Sequence, residues 1–131
     1  MIDLNRLKRD VLKESAEDYV GLWSIIWRIR YELNDQEYPP REEDQADPVE
    51  VRCMTLGLVQ DLLQDGLVRV GFPTLDGRGF EPWSLEPGEV TYRINLEWDA
   101  LGREPNIGEV VWFTTTEKGT KEVQRISVEG A

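Results

Sequence analysis

Apolar side chains recur every three or four positions over the first 33 residues, which is the spacing of one helical face. Ser15, with Asp18 three positions on, resembles an N-terminal capping box. We therefore expect two helices, or one helix bent at Ser15. Tryptophans at helical spacing usually pack inside, so we assign Trp23 and Trp27 to the core. The apolar positions include Leu4, Leu7, Val11, Leu12, Val20, Trp23, Ile26 and Trp27.

A further helix is predicted to begin at Pro48. Asp47 is a suitable N-cap, proline fits the first helical position, and Gly66 can take the left-handed backbone conformation that ends helices. The helix can run as far as the residue before Gly66, with a possible break at residues 55–57. Its packing face is predicted to be Leu56, Val59, Leu62 and Leu63. The alternation of side chains over residues 67–72 then predicts a strand.

Residues 73–108 separate that strand from a second β-prone run at residues 109–115. We expect the two runs to pair. Between them, helical spacing over residues 87–101, followed by Gly102 as a cap, predicts an inserted helix. The tail from Lys118 onward is too mixed in pattern to assign.

The charge of the chain adds the most to the prediction of function. The chain carries 26 acidic and 15 basic residues, a net charge of −11, and no histidine. Nine acids and two bases fall between Asn34 and Gly66. Residues 34–47 contain two prolines and almost nothing apolar except Tyr38, so we predict an acidic loop there.

Two fragments resemble winged helix-turn-helix proteins. They are residues 62–68, LLQDGLV, and residues 111–119, VWFTTTEKG, within the wider ranges 48–72 and 109–119. The resemblance implies a mainly helical α+β fold with a small antiparallel sheet, and DNA binding through the helix at 55–65. Because an ordinary wing is a short hairpin, the long connection predicts a helical insertion in the wing of one domain spanning residues 1–131.

The charge of that helix argues against DNA binding. Residues 54–66 contain no Lys or Arg, although such side chains supply most of the affinity for phosphates. Gln60 and Gln64 could still pair with adenine edges. We therefore favour a winged-helix-like scaffold that does not bind DNA, and the alternative is a winged-helix DNA-binding transcriptional regulator.

Catalysis is not favoured by the composition. Without histidine there is no His base, His nucleophile pair or His metal ligand, and no acidic spacing or Gly-rich loop marks a metal or phosphate site. We predict no enzyme activity, no cofactor and no metal. Cys53 lies in the helical pattern, and we expect it to be a small buried side chain.

We therefore predict a small, acidic, non-enzymatic protein that binds a basic protein partner. It is expected to be soluble, cytoplasmic and bacterial, without a membrane segment, and homodimerisation through the N-terminal helix is a further alternative. A second candidate contact is Trp83, although covering the core of the inserted helix is its favoured role. The predicted patch contains Asp35, Glu37, Tyr38, Glu42, Glu43, Asp44 and Asp47.

Overall fold

A computed structural model of the chain describes residues 3–33 and 47–129. Within these ranges it contains five helices and four strands, so the predicted mainly helical α+β fold with a small antiparallel sheet is confirmed. In chain order the elements are α1 (Leu4–Glu17), β1 (Val20–Gly21), α2 (Leu22–Leu33), α3 (Pro48–Gln64), β2 (Val68–Pro73), β3 (Phe80–Pro82), α4 (Pro87–Leu101), β4 (Trp112–Thr115) and α5 (Glu117–Glu129).

The sheet has the strand order β1-β4-β2-β3, and every pair is antiparallel. Val70 of β2 lies opposite Phe113 of β4, which confirms the predicted pairing of the two β-prone runs. The strand β1 was not predicted. Its Val20 pairs with Phe113 from the other side, so Phe113 occupies the middle of three strands and is almost fully buried.

One hydrophobic cluster joins the helices to this sheet. It contains residues from α1 to α4 and from three strands, and Val123 of α5 packs against it. The largest fully buried members are Leu7, Val11, Val20, Leu22, Ile25, Ile26, Ile29, Val51, Val59, Leu62, Ile94 and Phe113.

The break between the first two helices differs from the prediction. Ser15 lies inside α1, where its buried hydroxyl donates a hydrogen bond to the Val11 carbonyl, so it does not cap a helix. The chain leaves the helix at Asp18, which accepts a hydrogen bond from the following amide. The assignment of Trp23 to the core is right and that of Trp27 is wrong: Trp23 is buried, but Trp27 is 52% exposed because it lies off the buried face of α2, which contains Ile25, Ile26 and Ile29.

Helix α3 has the predicted caps. Asp47 accepts a hydrogen bond from the Val49 amide, and Gly66 has a left-handed φ of 69°. No break occurs at residues 55–57, because Thr55 is fully buried and its hydroxyl bonds to a carbonyl of the preceding turn. Cys53 is exposed, so the expectation that it is buried is wrong. It faces away from the cluster on a helix that packs on only part of its surface.

The inserted helix forms as α4 over the predicted residues. Glu86 and Glu89 form a reciprocal capping box at its start, and Gly102 closes it with a left-handed φ of 66°. The unassigned tail forms α5. Thr116 accepts a hydrogen bond from the Gly119 amide, which is the geometry of an N-cap.

Candidate partner-binding surface

Most of the predicted acidic patch lies outside the described residues. Asp35, Glu37, Tyr38, Glu42, Glu43 and Asp44 fall between residues 34 and 46, so their role in partner binding stays a prediction. Asp47 and Trp83 are the two predicted site residues that the structure places.

The structure places these two residues in different surroundings. Asp47 caps α3, so its carboxylate already has a structural use. Trp83 follows β3, donates its backbone amide to Val70, and lies beneath the Arg93 guanidinium, 3.8 Å from the ring centroid. Trp83 is partly buried against the hydrophobic cluster, which confirms its favoured role beside the inserted helix.

Helix α4 packs along α3 and is held there by polar contacts. The Arg52 guanidinium of α3 donates to the side chain and the backbone carbonyl of Asn95, at 2.9 and 2.7 Å, and pairs with Asp99 at 2.8 Å. It also lies 5.1 Å from the ring centroid of Trp98. Further along α3, the Gln60 amide oxygen accepts a hydrogen bond from the Thr91 hydroxyl of α4, at 2.9 Å. These contacts fix the two helices side by side.

A shallow surface groove of about 450 Å³ runs between the two helices. Gly57 and Gly88 face open space: apart from the adjacent residues and the backbone of its own helix, a Cβ atom added at either position would meet no described atom within 4 Å. The absence of side chains at these points keeps the groove open. We call this feature the α3–α4 groove; its lining residues are Leu56, Gly57, Gln60, Gly88, Thr91, Tyr92 and Asn95.

One exposed stripe of α4 borders the groove. Tyr92 is 66% exposed and Leu96 is 50% exposed, and their spacing of four places them on one helical face. Glu89 and Asp99, each three residues further out, continue the same face and are also exposed. The α4 stripe therefore consists of two apolar residues between two carboxylates.

Helix α3 presents a parallel line of residues. Glu50, Cys53 and Gly57 are spaced by three and four and are all exposed. The bases of the two helices are Arg52 and Arg93, and each is engaged: Arg52 with Asp99, and Arg93 with Glu97 and the Trp83 ring. These pairs also use Asp99 and Glu97, so among the described residues of α3 and α4 the exposed carboxylates without a basic partner are Glu50 and Glu89.

Sequence reasoning missed the groove and the α4 stripe. The available signal was a second apolar spacing in α4, Tyr92 with Leu96, offset from the buried series Val90, Ile94 and Trp98. That signal marks an exposed apolar face, but only the packing of α4 on α3 shows what lies beside it.

A second cavity, of about 420 Å³, is rich in arginine but not in unpaired positive charge. Among its lining residues are Arg30, Arg52 and Arg103, which pair with Glu104, Asp99 and Glu109. The hydrogen bonds from Arg103 and the Asn106 amide lower the pKa of Glu109 to about 2. The same pair raises the pKa of Arg103. The chain's own carboxylates thus neutralise these arginines, which leaves them poorly suited to an anionic ligand.

The structure also bears on a DNA-reading role for α3. Gln60, one of the two candidate adenine-reading residues, is bonded to Thr91, so α4 occupies that side of the helix. On α1, Arg6 and Lys8 pair with Glu32 and Asp61. Arg9 and Lys13 have no ion pair with a described residue, but they lie on α1, which packs against α5. Two bases do reach the C-terminal end of α3, but each is engaged there: Lys8 pairs with Asp61, and Lys118 donates to the Asp65 carbonyl.

Within residues 3–33 and 47–129, no group of three or more Asp, Glu or Cys side chains has the arrangement of a metal site. No helix in the same ranges has the length and apolar character needed to cross a membrane.

In comparisons with protein-family models, with curated proteins and with solved structures, no significant match to this chain was found.

Proposed function

We propose that this protein is a small acidic binding module, without catalytic activity, that engages a basic region of another protein. The observation that carries the proposal is the exposed surface of α3 and α4, where Tyr92 and Leu96 are exposed and Glu50 and Glu89 have no described basic partner. Both arginines of these helices are already paired, with Asp99 and Glu97. Acidic surfaces attract basic partners and hold them through charge, while the apolar residues supply contact area. The acidic residues 34–46 precede α3 in the sequence, and Glu50 lies in the first turn of that helix.

We also propose that the scaffold is winged-helix-like. Helix α3, its Gly66 cap and the strand β2 follow the order of the resemblance, and β4 lies next to β2 as two wing strands would. The insertion of β3 and α4 between them is the departure. In this proposal, α4 lies beside the helix that would otherwise be free to enter a DNA groove.

The test is the charge dependence of partner binding. Partners captured from the source cells are identified, purified and titrated with the protein at low and high salt. Because charge attraction is screened by salt, we expect weaker binding at high salt. Two double variants, Glu42→Gln/Glu43→Gln and Glu50→Gln/Glu89→Gln, are expected to weaken binding about tenfold each. Glutamine can replace Glu89 in its capping box.

The matched control is Asp10→Asn/Glu17→Gln on α1. It removes the same number of charges but leaves the groove unchanged, and we expect binding within about twofold of the wild type, given the weak effect of distant exposed charges. Equal losses in all three double variants would indicate attraction by net charge alone and would contradict a local site. A purified partner that binds equally well at both salt concentrations would contradict the proposal itself.

A winged-helix DNA-binding regulator is the second candidate, and the adjacency of β2 and β4 behind α3 is the observation that favours it. Titration with random duplex DNA at low salt distinguishes the two. Non-specific binders reach dissociation constants on the order of 10⁻⁴ to 10⁻⁶ M even at physiological salt. We expect no binding in that range, and salt-sensitive binding there would favour the regulator.

A further inference from the structure

We infer that the turn between α4 and β4 is a conformational latch, in which the Arg103–Glu109 ion pair holds Val110 in a strained backbone conformation. When this pair is broken, Val110 relaxes and the first amide of α2 loses its bond to the turn. The latch is a property of the scaffold and is independent of the proposed binding of a partner. We call residues 106–111 the latch turn.

The backbone of the latch turn is strained at Val110. Among the described residues, Val110 is the one residue other than glycine with a positive φ, 71°. The Val111 amide donates to the Glu109 carbonyl at 3.0 Å, so the segment has the hydrogen bond and the sign of φ of a classic γ-turn centred on Val110. A β-branched residue rarely adopts this conformation, which persists only where the surrounding structure holds it.

Burial of two consecutive valines accounts for the strain. Val110 is 8% exposed and Val111 is fully buried, although neighbouring side chains of an extended strand point to opposite faces. The positive φ of Val110 lets both side chains enter the same hydrophobic cluster. Packing therefore favours the closed turn, whereas the backbone of Val110 opposes it.

Glu109 fixes the turn through hydrogen bonds to its side chain and its backbone. Its carboxylate accepts hydrogen bonds from both terminal nitrogens of Arg103, at 2.6 and 2.8 Å, and from the Asn106 amide at 2.7 Å. Its own amide donates to the Asn106 carbonyl at 3.0 Å. Gly108 has a φ of 81°, which suits the third position of a type II turn. The residue before Val110 is therefore held on both sides by residues 103–108.

The latch turn is connected to α2 through Leu22. The Leu22 amide donates to the Val111 carbonyl at 3.1 Å. Amides in the first turn of a helix have no partner within the helix, so this bond satisfies one of the otherwise free donors of α2. The next residues, Trp112 and Phe113, pair with β1. Opening of the latch turn would therefore expose the Leu22 amide to water and loosen the pairing of β1 with β4.

The first test measures the strain at Val110. Val110→Gly and Val110→Ala are compared by urea denaturation, with Val111→Gly and Val111→Ala as matched controls, because Val111 is buried beside it without a positive φ. At Val111, the unfolding equilibrium constant should be about threefold larger for glycine than for alanine, because glycine loses more backbone entropy on folding. At Val110 the order should reverse, because only glycine adopts a positive φ without strain. The same order at both positions would contradict a strained turn.

The second test opens the latch without altering the core. Hydrogen exchange of the Leu22 amide, followed by NMR, measures local opening of the turn. Glu109→Ala removes the ion pair, and we expect exchange about fivefold faster, the upper end for loss of an exposed pair. Glu97→Ala is the matched control, because it removes the exposed pair with Arg93 on α4 and should leave the exchange of the Leu22 amide unchanged. High salt should speed this exchange in the wild type but not in Glu109→Ala, since screening acts on the pair.

Faster exchange confined to Leu22 and the amides between β1 and β4, with the reversed order at Val110, would establish the latch. Unchanged exchange in Glu109→Ala would show that packing alone holds the turn, and the latch would be wrong. An equal increase at all core amides would indicate global unfolding and would overturn it as well. If a Val110 variant does not fold, the Glu109→Ala result still decides, because that variant leaves every core side chain in place.

Discussion

Helix α3 meets a neighbouring helix at each of two places, and the glycines at these places differ in the space around them. At its C-terminal end, near α5, a Cβ atom on Gly119 would lie 2.0 Å from the Leu67 carbonyl oxygen. Along the α3–α4 groove, the same addition at Gly57 or Gly88 would meet nothing within 4 Å. The first contact is closed and leaves no room for a side chain. The second is open, although nothing within the described chain requires it to be.

The two places also differ in what holds them together. At the α5 end, the Thr116 hydroxyl donates to the Gly66 carbonyl at 2.6 Å, and the Lys118 ammonium donates to the Asp65 carbonyl at 2.7 Å. Backbone groups and close packing therefore dominate. On the groove side, α4 adds the Arg52–Asp99 ion pair and the Arg52–Asn95 hydrogen bond to the packing of its buried Val90, Ile94 and Trp98. Helix α5 therefore closes the fold, whereas α4 leaves part of α3 accessible.

The largest expected effect tests the closed contact. Gly119→Ala must displace backbone at the start of β2, and such overpacking typically costs about 1–3 kcal/mol. We expect the free energy of unfolding, measured by urea denaturation, to fall by that amount. Gly88→Ala is the matched control, because Gly88 also lies in the first turn of a helix but faces open space. Equal losses in both variants would contradict the assignment of a closed contact to Gly119 and an open one to Gly88.

Removal of the cap at the same junction should have the next largest effect. Thr116→Ala loses the bond that receives the Gly119 amide and the bond to the Gly66 carbonyl. Loss of an N-cap costs about 1 kcal/mol, with a range of roughly 0.5–2. Thr116→Ser keeps both hydrogen bonds and should retain most of the stability in the same urea experiment. If Thr116→Ser lowers the free energy of unfolding as much as Thr116→Ala, the loss comes from the methyl group and not from the hydroxyl.

These local features explain which elements the sequence could predict. The boundaries of α3 and α4 follow from caps next to an apolar spacing, namely Asp47 with Gly66 for α3 and Gly102 for α4. The pairing of β2 with β4 follows from two β-prone runs in the chain. Each of these signals lies within a few residues of the element that it defines, so tertiary contacts were not needed to find it.

The elements and site features that were missed depend on contacts distant in sequence. Strand β1 has two residues and exists because Phe113 and Trp112 pair with it. The N-cap of α5 is tied to Gly66, 50 residues away. Cys53 is exposed because the buried face of α3 lies elsewhere, and the α3–α4 groove forms only when Arg52 reaches Asn95 and Asp99. No pattern within one helix specifies those partners.

A smaller effect, of opposite sign, tests the open side. Gly57→Ala should raise the free energy of unfolding by about 0.5–1 kcal/mol, because alanine favours the helix and meets no described atom. The measurement is again urea denaturation. A loss of stability would mean that the position is closed by a contact outside the described residues, and the contrast with Gly119 would no longer hold.

The smallest expected effect concerns pH and the turn that follows α4. Glu109 receives hydrogen bonds from Arg103, at 2.6 and 2.8 Å, and from the Asn106 amide at 2.7 Å. These bonds lower its pKa from 4.5 to about 2. Because the folded pKa lies below the unfolded one, the stabilisation is fully present above about pH 5 and is lost as the pH falls toward 2.

The measurement compares the wild type with Glu109→Gln in thermal unfolding across that range. The wild type should be slightly more stable at neutral pH, and the difference should shrink between about pH 5 and pH 2. High salt should reduce it as well, since the pair is exposed and therefore screened. The loss from Gly119→Ala should depend much less on salt, because it arises from packing. A salt-dependent loss at Gly119 would contradict a packing origin there, and a constant difference at Glu109 would contradict a charge origin for its contribution.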